Sequence, residues 1–393
     1  MTLLSVEEAT ARLLALADPV ATETVSLGEA AGRWAAEDIP ALRTQPERDL
    51  SSMDGYAIRF ADLPGPFRVI GESAAGRPFA GTVAPGEAVR IFTGAATPEG
   101  TDTVMVQEEA AREGDTLTLA GEGPGRAGRN VRPKGLDFTT GDLLVARGER
   151  LSAPRIALAA TGGHGALPVR RRIRVAIAAT GDELVPPGTP VAEGSLPEGN
   201  SAMLAAMLAD LPVALIPLGI LPDRLDAITA AFASVDADVL VTTGGASVGD
   251  HDLVRPALEA AGGSLDFWRI ALRPGKPMLA GRLNGTIVLG LPGNPVSAFV
   301  TGSVFLRPLI AHLGGAADTR LRTQPAILGE DLPANDHRMD FLRAETRDGR
   351  VHVAAIQDSS MLRTLARADC LVLRAPRAPK ASAGDSVEIL RIA

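Results

Sequence analysis

Residues 173–318 carry the clearest alternation of apolar and polar positions. Apolar runs at Ile173–Ala178, Val213–Ile220, Asp238–Thr243, Asp266–Leu272 and Thr286–Leu291 read as strands. Between them, amphipathic stretches read as helices from Asn200 to Asp210, Asp223 to Val235, Leu253 to Ala261 and Pro295 to Leu313. Strands apolar on both faces, separated by helices, predict a mostly parallel sheet buried between helical layers. Residues 43–140 differ. Short runs at Phe67–Ile70, Ala88–Phe92, Thr103–Val106 and Thr116–Leu119 are punctuated by Pro85-Gly86 and Glu113-Gly114-Asp115, the pattern of a β-rich domain. Val351–Ala354, Cys370–Leu373 and Ser386–Leu390 predict a small β-domain at the C-terminal end.

At the other end, Ser5-Val6-Glu7-Glu8 is a capping box. The helix it starts places Val6, Ala9, Leu13 and Leu16 on one face and ends near Asp18-Pro19. A strand at Thr24–Leu27, a helical turn around Trp34 and a helix from Ala153-Pro154 follow. The expected organisation is a discontinuous N-terminal domain (1–42 and 141–172), an inserted β-rich domain (43–140), an α/β domain (173–318) and a C-terminal β-domain (319–393).

Of 393 residues, 46% are hydrophobic and 22% charged, and 39 basic residues face 47 acidic ones for a net charge of −8. That balance, with 3% aromatics, argues against a nucleic-acid binder. The single cysteine, Cys370, excludes a disulfide framework or a cysteine-ligated metal. No signal-peptide pattern opens the chain, and the uncharged stretch from Leu283 to Leu306 is interrupted by Asn284-Gly285 and Pro292-Gly293-Asn294-Pro295, so a cytoplasmic protein without a membrane span is expected. Only three lysines occur, Lys134, Lys276 and Lys380, and the first two lie in Pro- and Gly-containing loops.

In an open parallel sheet, ligands bind beyond the carboxyl ends of the strands. The loops expected there are Thr180-Gly181-Asp182-Glu183, Thr243-Gly244-Gly245-Ala246-Ser247 and Leu291-Pro292-Gly293-Asn294-Pro295, the last with Asn294 as N-cap of a helix. A helix start behind a glycine turn presents free N–H groups to an anion. Neither a Walker loop nor a dinucleotide fingerprint is present. Asp182, Glu183, Asp223, Asp250 and Asp252 gather in these loops, while Asp54 and Asp137 lie elsewhere, the latter just after Arg132 and Lys134. Carboxylates beside cations suit a phosphorylated substrate bridged by Mg²⁺. Asp182 and Asp223 read equally well as helix caps, Arg170-Arg171-Arg172 as a solvated turn, and the five scattered histidines as surface or capping groups.

Seven segments taken together carry a resemblance. They are Ser51–Ala57, Ile91–Ala95, Gly128–Asp137, Thr180–Leu184, Gly244–Asp252, Pro274–Pro277 and Gly290–Ser297. In this order they resemble the molybdopterin molybdenumtransferase family, whose bacterial members are called MoeA and to which the gephyrin E domain is related. The resemblance implies an elongated α/β multidomain subunit of four domains, forming a homodimer, with a cleft between the α/β domain of one subunit and the first two domains of the other. It implies insertion of molybdenum from molybdate into adenylylated molybdopterin, with Mg²⁺-dependent release of AMP. Contact with other cofactor-biosynthesis proteins belongs to the same implication.

By position, Asp54, Asp137, Glu183, Asp223 and Asp252 match acidic cleft residues of the family, and Thr93 a polar one. Asp54 and Glu183 are the expected Mg²⁺ ligands. Arg132, Lys134, Arg273 and Lys276 are expected to hold molybdate or the pterin phosphate, with Ser247, Ser297 and the N–H groups behind Pro292 and Pro295 completing an anion pocket. The chain departs from the family pattern at Arg48-Asp49-Leu50-Ser51-Ser52, at Arg273 where lysine is common, and at Leu196–Asn200. These departures admit a tungstate-using variant. A non-catalytic molybdopterin-binding scaffold is the alternative on the same fold. The preceding adenylyltransferase leaves the additional domains unexplained.

Overall fold

All residues of Val239–Thr243 and Thr286–Leu291, and all but Arg174 of Ile173–Thr180, are buried, so these strands must lie inside a sheet covered on both faces. In this computed structural model, which describes residues 3–245 and 253–392, they form the centre of a six-stranded sheet. Its strands in chain order are β1 (Ile173–Thr180), β2 (Val213–Leu221), β3 (Val239–Thr243), β4 (Ser264–Trp268), β5 (Leu279–Leu283) and β6 (Thr286–Leu291), and their spatial order is β2-β1-β3-β6-β5-β4. β2, β1, β3 and β6 are mutually parallel. β5 and β4 are antiparallel, so the sheet is mixed rather than simply parallel. Asn284 and Gly285, with φ of 49° and 90°, close a two-residue hairpin between β5 and β6 that leaves no length for a crossover helix.

Successive residues of these strands face opposite layers. Val175, Ile177, Val241 and Leu289 pack with Leu204, Val300, Phe305, Leu306 and Leu309, and with Val6, Ala9 and Leu13 of the N-terminal helix Val6–Leu14. Ala176, Leu240 and Val288 face Ile228, Phe232, Val254, Ala257 and Leu258 on the other side. Helix Pro295–Leu313 is long and apolar enough to cross a bilayer, but 78% of that window is buried in this core. Its middle, Gly302–Leu306, is a π-helical segment.

The C-terminal sheet orders Leu272–Arg273, Met339–Arg347, Cys370–Arg374, Ser386–Arg391 and Gln324–Ile327, with Arg350–Val353 added to Met339–Arg347. The expected strand Asp266–Leu272 is therefore divided. Arg269, at φ 145°, breaks it, and Leu272–Arg273 pairs with Met339 and Asp340 instead. Trp34 is not in a helical turn either. The turn is Leu27–Ala30, and Trp34 bridges Arg150, whose guanidinium lies 5.9 Å from its ring.

The chain divides into two compact units. One holds Met1–Glu37, Arg147–Leu151 and Pro168–Ala393; the other holds Asp38–Ala146 and Ser152–Leu167. The second contains a six-stranded sheet ordered Thr103–Val106, Gly55–Ile58, Glu87–Ile91, Phe67–Ser73, Thr116–Leu119 and Ala110–Glu113. Tyr56, Ile58, Phe67, Met105 and Leu117 bury on one side of it, and Ala57, Ile91 and Val104 on the other. Helix Ala153–Thr161 belongs to this unit.

Candidate functional site

In the β-rich unit, Asp54 immediately precedes strand Gly55–Ile58. Gly55 has to be glycine, because a Cβ there would lie 2.0 Å from the carbonyl oxygen of Met105 on the neighbouring strand. Thr93 follows the end of Glu87–Ile91. Its backbone N–H and its hydroxyl both donate to Asp54 Oδ1, at 2.8 and 2.9 Å. The amide first, then the hydroxyl, hold the Asp54 carboxyl below the usual carboxylate range, with a smaller contribution from Arg90. Both bonds fall on one oxygen, and none of the described residues hydrogen-bonds the other. Arg90 went unremarked in the sequence because one arginine in a strand carries no signal. It donates to Gly55 O (2.9 Å) and Gln107 Oε1 (2.7 Å) and lies 4.7 Å from the Phe92 ring.

The same unit holds two of the four predicted cations, Arg132 and Lys134. Leu50–Ser51 pairs with Val131–Arg132 on one side, while Leu50 bridges Ala96 and Gly94 N–H donates to Ser51 O on the other. Lys134 N–H donates to Asp49 Oδ1 at 2.7 Å, and Asp137 N–H to Gln45 O at 3.0 Å. Arg132, Lys134 and Asp137 are exposed. Arg132 is thus in the short pair beside Leu50–Ser51, Lys134 and Asp137 follow it in the adjoining loop, and Asp54 and Thr93 lie in turns at the ends of neighbouring strands of the six-stranded sheet.

In the α/β unit, the loops after β1, β3 and β6 touch one another where the strand order reverses. A Cβ on Gly244 would lie 2.5 Å from Thr180 O, and one on Gly293 would lie 3.5 Å from Gly244 Cα. Thr180 Oγ1 is buried there with no hydrogen-bond partner among the described residues. A Cβ on Gly181 would lie 2.7 Å from Glu183 Oε2, so the Glu183 carboxylate folds back over the glycine. Asp182 does not cap a helix; its Oδ1 accepts the N–H of Asp223 at 2.9 Å, which brings Asp223 beside this loop. Asn200 is the first residue of helix Asn200–Met207 rather than its N-cap, and its Nδ2 donates to Gly293 O at 2.7 Å.

Asn294 is the N-cap of the helix that begins at Pro295, as expected, although its side chain makes no capping bond. Instead Asn294 Nδ2 donates to Ser359 Oγ (2.9 Å), and Val296 N–H donates to Ser359 O (3.1 Å). Of the N–H groups expected to serve an anion, the one directly behind Pro295 is therefore taken by Ser359 of the C-terminal β-domain. Gly275 of the Pro274–Pro277 loop packs against the same helix, a Cβ there falling 2.6 Å from Thr301 Cγ2. Lys276 is exposed on that loop.

Arg273 is already engaged by protein groups. Its guanidinium is bonded to Asp340, to Asp336 and to Asn335. Asp340 is buried, so Arg273 already has a counter-charge and fastens Leu272–Arg273 to the C-terminal sheet. Ser247 and Asp252, with Asp250 and His251, lie outside the described residues. No group of three metal-ligating side chains occurs among the described residues. A carboxylate with one free oxygen, as at Asp54, is the kind of single hard donor that Mg²⁺ takes while keeping waters and substrate phosphates as its remaining ligands.

Three family models match the chain: the MoeA N-terminal region (domain I and II) over residues 4–163, a probable molybdopterin binding domain over 176–312, and the MoeA C-terminal region (domain IV) over 325–392. A molybdopterin molybdenumtransferase of Haemophilus influenzae is 36% identical over 398 positions covering 98% of each chain. Molybdopterin molybdenumtransferase 2 of Mycobacterium tuberculosis is 35% identical over 89% of this chain and 90% of its own. The crystal structure of a molybdopterin biosynthesis MoeA protein from Pyrococcus horikoshii OT3 superposes with a TM-score of 0.86 at 28% identity over the whole of both chains.

Proposed function

The chain belongs to the molybdopterin molybdenumtransferase family, and from that premise we propose that it inserts molybdenum from molybdate into adenylylated molybdopterin and releases AMP. The observation that carries the reading is the Asp54–Thr93 pair, a carboxylate held ionised on one oxygen and left open on the other. Asp54 and Glu183 would hold Mg²⁺, which when bound neutralises charge on the phosphate that leaves as AMP. Arg132, Lys134 and Lys276 bind the anionic substrates, and Ser297 donates to them. Asp137 and Asp223 orient the oxygen nucleophile at the phosphoanhydride. Arg273 has a structural role.

Asp54 and Glu183 belong to different compact units of the chain. In the proposed homodimer they meet in a cleft shared by two subunits, in the cytoplasm. The test is incubation with adenylylated molybdopterin, Mg²⁺ and either molybdate or tungstate, following AMP and assembled cofactor. AMP release with molybdate supports the reading, and a preference for tungstate reassigns the oxyanion. Binding of molybdopterin with no AMP release under either condition refutes it in favour of a carrier.

A further inference from the structure

The β-rich unit contains a hollow of about 450 Å³ lined by Arg43, Gln45–Arg48, Leu50, Ala74, Gly76, Pro78, Gly94 and Ala96. Its walls are tied in place. Gly135 N–H donates to Pro46 O (2.9 Å), Gln45 N–H to Phe138 O (2.9 Å), and Thr97 N–H to Asp49 O (3.0 Å). On the opposite wall, Ala74 and Arg77 form a bridge with reciprocal bonds of 3.0 and 2.9 Å. The stem of Arg43 lies along Gly163, where a Cβ would be 3.7 Å from Arg43 Cγ, so the side chain has a seat rather than a free swing.

The charge of this hollow runs against the rest of the protein. The chain carries a net −8, yet the hollow is lined by two arginines and one glutamate. Both arginines are exposed, and no ion pair engages either among the described residues. Leu50, Pro46, Pro78, Ala74 and Ala96 supply an apolar surface beside them. A hollow of this size, lined by apolar side chains and two exposed cations, fits a small organic anion. It adjoins Gly94, next to the Thr93 that holds Asp54, and Arg48 and Leu50 stand at positions where this chain departs from the family pattern.

We propose that this hollow is a binding subsite for a phosphate group. Arg43 and Arg48 are its cationic ligands, and Leu50, Pro46 and Pro78 are the wall against whatever the phosphate is attached to. Guanidinium suits this role because its planar fork donates two parallel bonds to phosphate oxygens. The inference stands on the geometry of one unit and does not depend on the transferase reading.

Titration of the full-length protein with inorganic phosphate and with AMP, followed by calorimetry, tests it without any turnover. Both probes are expected to bind the wild type. Arg43→Gln and Arg48→Gln should each weaken binding by about tenfold, while Arg112→Gln, on the distant hairpin, should leave it unchanged. Equal affinities for the two probes would mark the free oxyanion as the ligand, and tighter AMP an esterified phosphate; either supports the subsite. If neither probe binds the wild type at millimolar concentration, or if both arginine variants bind like the wild type with unchanged melting temperatures, the proposal is overturned.

Discussion

Gly55→Ala isolates the packing that places Asp54. The new Cβ would sit 2.0 Å from Met105 O, 2.9 Å from Met105 C and 3.0 Å from Val106 Cα. The first distance is a full ångström inside the closest approach that real Cβ atoms make. The obstacle is backbone on the neighbouring strand, so no side-chain rotation relieves it. Gly55–Ile58 must move away from Thr103–Val106, although it is held on its other edge by Glu87–Ile91. Overpacking of this kind costs about 1–3 kcal/mol, and weakening one or two ladder hydrogen bonds adds about 1 kcal/mol each, so a loss of about 3–4 kcal/mol is expected. The same substitution at Gly28, within helix Leu27–Ala30 and with nothing within 4 Å of a Cβ, should be neutral or stabilise by about 0.5–1 kcal/mol. Urea unfolding of the three proteins compares them directly. If Gly55→Ala and Gly28→Ala unfold at the same midpoint, the close approach is not what fixes this strand, and the placement of Asp54 loses its explanation.

Asp54→Asn and Glu183→Gln should each reduce AMP release by about a hundredfold or more while pterin binding persists. In the proposed homodimer, mixing the two variants should recover roughly a quarter of wild-type activity, because half the dimers would be mixed and each mixed dimer would have one intact cleft; no recovery would exclude a cleft shared between subunits. Asp238 receives two bonds from Arg171 at 2.7 Å and the Arg174 N–H at 2.8 Å. Burial pushes its carboxyl up, but these partners outweigh burial and the net shift is downward. Its stabilisation is therefore present above about pH 4 and lost as pH falls through the depressed value. Asp238→Asn should cost about 2 kcal/mol at pH 7 and progressively less toward pH 3 in denaturant titrations; a pH-independent cost would contradict this. Cys370 is fully buried, and burial pushes its thiol up to about 12, so a thiol reagent should react only after unfolding.

Much of the fold is legible in the residues because local signals agree. Thr103–Val106, Thr116–Leu119 and Thr286–Leu291 are apolar runs bounded by turns, and the strands occupy those spans. The switch to antiparallel strands at β5 and β4 was less visible, although Asn284-Gly285 is its sign. Periodicity shows that a strand is buried, not which way its neighbour runs. Site partners are harder still. Asp54 and Thr93 are 39 positions apart, and one of the bonds joining them comes from a backbone N–H, which leaves no trace in residue type. Arg273 looks like a free cation until Asp340, 67 positions on, takes its charge. Ser359 meets the helix start at Val296 through its own carbonyl, so no motif search would single it out.

Three side-chain amines serve the entire molecule. Lys380 is paired with Asp331 at 3.3 Å, whereas Lys134 and Lys276 stand exposed on the two loops proposed to bind the anionic substrates. A chain so poor in lysine is a ready-made footprinting reagent for its own chemistry. Mild acylation can modify almost nothing else, so the fading of two peptide labels as an anionic ligand is added would trace occupancy of both loops at once, with Lys380 as the internal standard.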